Sequence, residues 1–203
     1  MIVSGIDWSG DPGMSRGASS LMAFAIVHCN EHELPDVDTA LALARLRLGL
    51  PANYVFKYQA AALRTEAAVF AAIAELPISV HVRLIDKSAI GSRPMTPAWG
   101  KERIRMHVAE LVEACPDRLV ADQSLRIDLP RSELREITLI STEMRRRLRA
   151  AGRASFGKVR PCPDDSVDGA IIQLADMVAG EARERAGLHG PFLPSLTSRI
   201  QLV

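Results

Sequence analysis

The sequence predicts an α/β fold in which a mixed β-sheet carries helices on both faces. Near the amino terminus, apolar runs of strand length follow one another, which is typical of an antiparallel meander of three strands. Further along, strand-like runs alternate with helical patterns, which is typical of parallel strands joined by right-handed crossovers. The 203 residues, of which 48% are hydrophobic, can bury one sizeable core, so we expect a single domain over residues 1–203.

Six runs are predicted to be strands because they are short, apolar or alternating, and bounded by turn residues. The first leads into a turn at residues 10–13 that contains two glycines and a proline. The third is aromatic and β-branched, and the fourth alternates apolar with polar residues. The predicted strands are 2–6, 21–29, 54–58, 78–85, 118–121 and 156–160.

Five segments place apolar residues at helical spacing and are bounded by helix start and stop signals. The longest begins near Ser132 and stops at Gly152, with Ile137, Ile140 and Met144 facing inward. The other predicted helices cover residues 38–48, 64–75, 98–114 and 168–186. A meander followed by alternating strands and helices is the order of ribonuclease-H-like folds, so we predict a sheet of that type.

Acidic residues stand where several predicted strands end, and functional groups of open α/β sheets gather at the carboxyl ends of strands. Asp7, Asp86 and Asp122 each follow such a run. One of them alone would be read as a turn residue, but three together predict a site. A fourth acid, Asp176, lies in an otherwise apolar helix, where an ionised group needs compensation. We expect Asp7 and Asp176 to meet, with Asp86 or Asp122 beside them.

This set of acids predicts a metal site. Converging carboxylates raise one another's pKa unless a cation neutralises them, and oxygen ligands favour Mg²⁺ or Mn²⁺. Two such ions about 4 Å apart can activate water and stabilise the leaving oxygen of a phosphodiester, so the predicted reaction is hydrolysis of DNA or RNA. Gln173, one turn before Asp176, would orient a carboxylate or the attacking water. The predicted metal ligands and catalytic residues are Asp7, Asp86, Asp122 and Asp176.

A basic stretch near the end of the longest helix predicts the surface that would contact nucleic acid. No acidic residue occurs between Arg145 and Arg160, and an anionic backbone would be drawn to such a stretch. Alternatively, these residues form a solvated helix end, because basic residues near a helix C-terminus favour its dipole and the net charge is only +1. The predicted contact residues are Arg145, Arg146, Arg147 and Arg149.

Other classes of protein are disfavoured by the sequence. No apolar run is long enough to span a bilayer, and Asp7 and Asp11 interrupt the amino-terminal apolar stretch, so we expect a cytoplasmic protein without a membrane partner. The three cysteines are widely spaced, with no C-x-x-C, and the five histidines show no metal spacing. Neither a zinc site nor a disulfide framework is therefore predicted.

Two motifs resemble those of a known family. Residues 6–11, Ile-Asp-Trp-Ser-Gly-Asp, resemble the I-D-E-S-G-D start of the domain-of-unknown-function family 3800. Residues 166–180 are similar to the closing signature of that family, in which Ser is followed after six residues by Q-L-A-D-x-x-A-G. The segments 85–87 and 120–122 also look like its two internal strand ends. The resemblance implies a ribonuclease-H-like fold and metal-dependent nuclease activity.

Trp8 departs from this family pattern, which commonly has Glu at that position. If that Glu helps to hold a metal, this chain lacks a ligand and is weakened or inactive as an enzyme. The alternative function is then a binding or assembly protein that keeps the fold and a vestigial acidic site. The residues that match the family motifs position by position are Asp7, Asp11, Gln173 and Asp176.

Overall fold

The computed structural model describes residues 1–12, 20–60, 63–87, 97–120, 123–154, 156–162, 169–187 and 200–202. Within these residues the chain forms six strands and six α-helices. The strands are β1 (Ile2–Ser9), β2 (Leu21–Asn30), β3 (Ser79–Asp86), β4 (Gln123–Ile127), β5 (Lys158–Pro161) and β6 (Ile200–Leu202). The helices are α1 (Leu34–Leu48), α2 (Leu63–Ile73), α3 (Pro97–Ala114), α4 (Asp117–Val120), α5 (Leu134–Ala150) and α6 (Ala170–Gly187).

The strands form one mixed sheet in the order β5-β4-β1-β2-β3-β6. Strands β1, β2 and β3 make an antiparallel meander. Strand β4 runs parallel to β1, β5 runs parallel to β4, and β6 runs parallel to β3. Helices pack on both faces of this sheet. The predicted α/β architecture, a three-stranded meander followed by parallel strands, is confirmed.

Alternation of side chains along the strands divides the core into two layers. On one side of the sheet, Val3 and Ala25 pack with residues of α1, α2 and α6. On the other side, Ile6 and Phe24 pack with residues of α3 and α5. We call these two sides the α6 face and the α3/α5 face. A strand residue can therefore be assigned to one face from its position in the alternation.

Helix α6 lies unusually close to β1. A Cβ atom on Gly5 would come within 2.6 Å of the Ile171 carbonyl oxygen, so only glycine permits this approach. Most residues of α6 are buried, which explains why its sequence is apolar on nearly every side. The close contact fixes the distance of α6 from the middle of β1.

Two predicted strands are helix or coil in the structure. Residues 54–58 belong to no strand, because the N–H groups of Phe56 and Tyr58 bond to side chains of α6 and not to a neighbouring strand. The strand predicted at 118–121 is also wrong, because residues 117–120 form α4 directly after Pro116. The strand that pairs with β1 begins only at Gln123.

The five predicted helices are confirmed, with shifts at their ends. Helix α1 begins at Leu34 and not at residue 38, because Pro35 stands in its first turn and is favoured there. None of the helices in the described part of the chain is both long enough and apolar enough to cross a membrane.

Candidate functional site

Asp7 lies near the end of β1, on the α6 face. It shares this side of the strand with Val3 and Gly5, and it is 7% exposed. Its Oδ1 atom accepts a hydrogen bond of 2.7 Å from the backbone N–H of Trp8. Gly5, two residues earlier on the same face of the strand, contacts α6 directly.

Asp128 is the acidic residue that follows β4. Its N–H donates to the Ile6 carbonyl oxygen at 3.1 Å, which continues the parallel pairing of Ile6 with Ile127 by one residue. Asp128 is therefore aligned with Asp7 on the neighbouring strand, about 5 Å away in the hydrogen-bonding direction. Ile127 and Leu129 both pack on the α3/α5 face, which assigns Asp128, between them, to the same face as Asp7.

Asp128 is not among the predicted site residues, although the sequence carries a signal for it. Residues 123–127 end in an alternating apolar pair, Leu125 and Ile127, and then run through Asp128 into Pro130. This is the same pattern of strand, acid and turn that identified Asp7. The predicted strand at 118–121 is helix in the structure, and this wrong placement hid the strand that ends at Asp128.

Asp122 lies outside the described residues. Its neighbour Gln123 begins β4 and pairs with Ile2, at the end of β1 opposite to Asp7. The expectation that Asp122 follows a strand is therefore wrong, since the strand follows it. A role for Asp122 as a metal ligand stays a prediction.

Asp86 is the last residue of β3 and is exposed. Asp7 pairs with Ala25, Ala25 pairs with Val82, and Asp86 lies four residues beyond Val82 along β3. This register separates Asp86 from Asp7 by about 13 Å along the strands and about 10 Å across them. The structure does not bring Asp86 and Asp7 together, and a metal-ligand role for Asp86 stays a prediction.

Gln173 and Asp176 lie one turn apart on α6 and both hold the segment 54–58. Gln173 Oε1 accepts hydrogen bonds from the Phe56 N–H at 3.2 Å and from the Arg45 guanidinium at 3.1 Å. Asp176 Oδ2 accepts the Tyr58 N–H at 2.8 Å. Asp176 is half-buried, in contrast to the fully buried Gln173. These bonds orient both side chains.

Tyr58 completes this contact with α6. Its ring occupies the space over Gly180, where a Cβ atom would come within 2.0 Å of the ring. Its hydroxyl group donates to Glu184 at 2.6 Å and to Glu181 at 3.3 Å. Burial, followed by the hydrogen bond to Glu184, raises the pKa of Tyr58, so the hydroxyl stays neutral and remains a donor.

Arg183, near the carboxyl end of α6, lies close enough to Lys87 to affect its pKa. Arg183, seven residues after Asp176, lies on the same side of the helix. The pKa of Lys87 is lowered by burial, raised by Asp11, and lowered again by the charges of Arg103 and Arg183. Lys87 Nζ also donates to the Asp11 carbonyl oxygen at 2.8 Å. Lys87 and Asp11 follow β3 and β1, so the carboxyl end of α6 lies near the edge where these strands end. That Asp7 and Asp176 meet stays a prediction.

Trp8 points away from Asp7. It pairs with Phe24 and packs against it at 6.2 Å between ring centroids, on the α3/α5 face. A glutamate at position 8 would project to the same face, because alternation along β1 is set by the sheet. Trp8 therefore does not replace a ligand on the side of the sheet that carries Asp7.

The described residues contain one group of three potential metal-ligating side chains whose ligand atoms all lie within 4.8 Å of one another. That group is His28, His81 and Cys115, which is not acidic. Asp7, Asp128 and Asp176 thus do not form so tight a trio. A single ion at this edge would therefore be bound by two of these three carboxylates.

The predicted nucleic-acid contact residues lie on α5, on the α3/α5 face, and most have intramolecular partners. The Arg145 guanidinium stacks on the Phe156 ring at 5.1 Å. Arg146 bonds to Glu143 at 2.6 Å. Arg149 is exposed. Together with Glu102 of α3 and Glu143 of α5, Arg146 and Arg147 line a surface groove between the two helices. Contact with nucleic acid stays a prediction.

Arg147 ties α5 to α3. It forms ion pairs with Glu110 and Glu113 of α3, both at 3.1 Å, and with Glu143 one turn earlier. We expect Arg147→Ala to lower the free energy of unfolding by about 1–2 kcal/mol, because a half-buried network loses its shared cation. Arg149→Ala should change it by no more than about 0.5 kcal/mol. Urea unfolding measures both, and equal values would contradict this role for Arg147.

The fold resembles that of a ribonuclease H2 from Pyrococcus horikoshii OT3. The TM-score is 0.58 at 13% sequence identity, and the similarity covers 93% of this chain and 75% of that chain. At such low identity the similarity establishes the fold alone, and the chain therefore has a ribonuclease-H-like α/β fold. No protein-family model matches the chain, and no curated protein sequence does, so membership of family 3800 stays a prediction.

Proposed function

We propose that this protein is a divalent-metal-dependent nuclease that hydrolyses phosphodiester bonds of DNA or RNA. The observation that carries the proposal is the alignment of Asp7 and Asp128 on neighbouring parallel strands, at the carboxyl edge of a ribonuclease-H-like sheet. This edge is where open α/β sheets place their functional groups. In this proposal Asp128 is the second aspartate beside Asp7, in place of the predicted Asp86 or Asp122.

The donor groups at this edge fit a hard cation. Carboxylate oxygens are preferred by Mg²⁺ and Mn²⁺, and two aspartates about one strand spacing apart can share an ion. Asp7 and Asp128 would hold the metal, and Asp176 would approach from α6. When bound, the metal would polarise the phosphodiester and lower the pKa of a water molecule.

The residues of α6 would position this site. The Tyr58 N–H donates to one oxygen of Asp176 and so holds this side chain against the segment 54–58. Gln173 is held by Phe56 and Arg45, so it would act at a distance, by keeping the segment 54–58 and Asp176 in place. Lys87 and Arg183 add positive charge near this edge, which favours an approaching phosphate backbone.

A specific observation favours a second candidate, a ribonuclease-H-like binding or assembly protein without catalytic activity. The bonds that Gln173 and Asp176 make to Phe56 and Tyr58 are sufficient to explain both side chains as structural. Gly180 is explained in the same way by the Tyr58 ring. In this candidate the closing signature of the chain serves only to dock residues 54–58.

The test is a cleavage assay with end-labelled single-stranded DNA, single-stranded RNA, duplex DNA and an RNA–DNA hybrid, each with Mn²⁺, Mg²⁺ or EDTA. We expect metal-dependent cleavage of at least one of these substrates. Asp128→Asn should lower the rate about 100-fold or more, because a metal ligand is lost.

The matched control is Asp36→Asn, which changes an exposed aspartate of α1 in the same way. It should retain activity, as should any variant that only alters net charge. Absence of cleavage of all four substrates by the unmutated protein would favour the second candidate. Full activity of Asp128→Asn would exclude Asp128 from the site.

A further inference from the structure

A second group of potential metal ligands lies on the α3/α5 face, towards the other end of the strands. His28 is on β2, His81 is on β3, and Cys115 directly follows α3. They are 1%, 2% and 2% exposed. Their ligand atoms all lie within 4.8 Å of one another. The fold brings these three residues together although they are far apart in the sequence.

The spacing within this group suits a tetrahedral ion. The distance from Cys115 Sγ to His28 Nε2 is 3.6 Å. Zinc lies about 2.3 Å from a thiolate sulfur and about 2.0 Å from an imidazole nitrogen, and at a tetrahedral angle these two ligand atoms are about 3.5 Å apart. The observed pair therefore already has the separation that a shared zinc ion requires.

His81 provides an independent indication of a ligand. Its Nδ1 atom is buried and has no hydrogen-bond partner, which is costly for a buried polar atom. The His81 ring lies 5.3 Å from the His28 ring, edge to face. A metal ion bound between the rings would supply the missing partner.

His28 is oriented from its far side. Its Nδ1 atom lies 2.7 Å from Ser4 Oγ and 3.1 Å from the Gln123 amide nitrogen. A metal-ligating histidine donates the N–H of its other ring nitrogen to an acceptor, and Ser4 Oγ can accept this bond from Nδ1–H. The Gln123 amide nitrogen is itself a donor and does not serve in this role.

We propose that His28, His81 and Cys115 bind one zinc ion that joins β2, β3 and α3. Two imidazoles and a thiolate select zinc or another borderline or soft transition metal over Mg²⁺ or Mn²⁺. Three protein ligands leave one tetrahedral position for a water molecule. The site is independent of the proposed nuclease site, because it lies on the opposite face of the sheet.

The competing explanation is a metal-free polar cluster. The Cys115 thiol donates to the Leu111 carbonyl oxygen at 3.2 Å, and burial raises the pKa of Cys115 to about 12. The cluster can therefore be neutral without a metal, and zinc would have to displace the thiol proton. The experiment must separate a bound ion from this neutral cluster.

The test is a titration of the chelator-treated full chain with Co²⁺, which substitutes for zinc and gives a thiolate-to-cobalt absorption band. We expect the band to saturate at one equivalent and to disappear when Zn²⁺ is added. Mg²⁺ should leave it unchanged. Cys115→Ser should abolish the band, whereas Cys29→Ser and Cys162→Ser, which change buried cysteines elsewhere, should retain it. Asp7→Asn should also retain it.

A folded protein without the band would overturn the proposal, as would a band that persists in Cys115→Ser. If Cys115→Ser does not fold, the melting temperature of the unmutated protein decides the question. Zn²⁺ should raise it by about 5 °C or more over the value in chelator, because an ion that binds only the folded state stabilises that state. Equal melting temperatures would also overturn the proposal.

Discussion

Gly5→Ala is expected to lower the free energy of unfolding by about 3 kcal/mol or more. The added Cβ atom would lie 2.6 Å from the Ile171 carbonyl oxygen and 2.8 Å from its carbonyl carbon. Both contacts are to backbone, so no flexible side chain can move aside. Relief requires α6 to lift away from β1, and the apolar contacts of Val3 and Ile171 in the shared core would open.

The matched control for this change is Gly100→Ala. Gly100 lies within α3, and a Cβ atom there would meet only Pro12 side-chain atoms at 3.4 Å or more. Alanine in a helix interior is favoured over glycine by about 1 kcal/mol, so this variant should be as stable as the parent protein or more stable. Urea unfolding compares the two. A Gly5→Ala protein as stable as Gly100→Ala would show that α6 does not depend on this contact.

Gly5→Ala also connects the fold to the proposed activity. Asp7 lies on β1 and Asp176 lies on α6, so a change in the distance between these elements would separate the two carboxylates. We expect any folded fraction of the variant to lose metal-dependent cleavage. The distance between strand and helix, set by one glycine, is therefore part of the proposed site.

The sequence could predict the strands whose pattern is local. Strands β1, β2 and β3 are apolar or alternating and end at turn residues, and each was predicted within a few positions. Residues 54–58 were wrongly predicted to be a strand. Their aromatic and β-branched side chains indicate burial, but not whether the segment packs against a strand or against a helix. In the structure that partner is α6, through the Tyr58 N–H and ring. Tertiary context decides between these alternatives.

The candidate site was only partly predictable for a related reason. Asp7 is marked by its own strand and turn, but choosing among Asp86, Asp122 and Asp128 requires the register of strands that are distant in sequence. Only the pairing of Ile6 with Ile127 aligns Asp128 with Asp7. Arg147 was likewise predicted to face solvent or nucleic acid, and only the packing of α5 on α3 reveals its ion pairs with glutamates.

The grouping of His28, His81 and Cys115 could not be read from the sequence. Metal motifs are recognised by short spacings within a helix, turn or hairpin, and these residues come from two strands and the end of a helix. His28 and His81 become neighbours through the pairing of β2 with β3. Cys115 reaches them because α3 crosses the same face of the sheet.

Asp176→Asn is expected to lower the rate of metal-dependent cleavage about 100-fold or more. The same change should alter the free energy of unfolding by no more than about 1 kcal/mol. The amide oxygen of asparagine can still accept the Tyr58 N–H that Asp176 Oδ2 accepts at 2.8 Å. The charge that attracts a cation is lost, but the bond that holds the segment 54–58 is kept. Activity and stability should therefore separate in this variant.

Asp176→Ala is the informative companion, because it removes both the charge and the acceptor. Asp176→Ala should lose cleavage as Asp176→Asn does. It should also lower the free energy of unfolding by about 1–3 kcal/mol, since the Tyr58 N–H is left without its partner. Thermal melts of the parent protein and both variants, with and without Mn²⁺, make the comparison. Mn²⁺ should raise the melting temperature of the parent protein more than that of either variant, because the variants lack one of the carboxylates that attract the ion. Two results together would contradict this prediction: equal destabilisation of Asp176→Asn and Asp176→Ala, and no effect of Mn²⁺ on the melting temperature of the parent protein. Asp176 would then have a structural role only and no part in the proposed nuclease site.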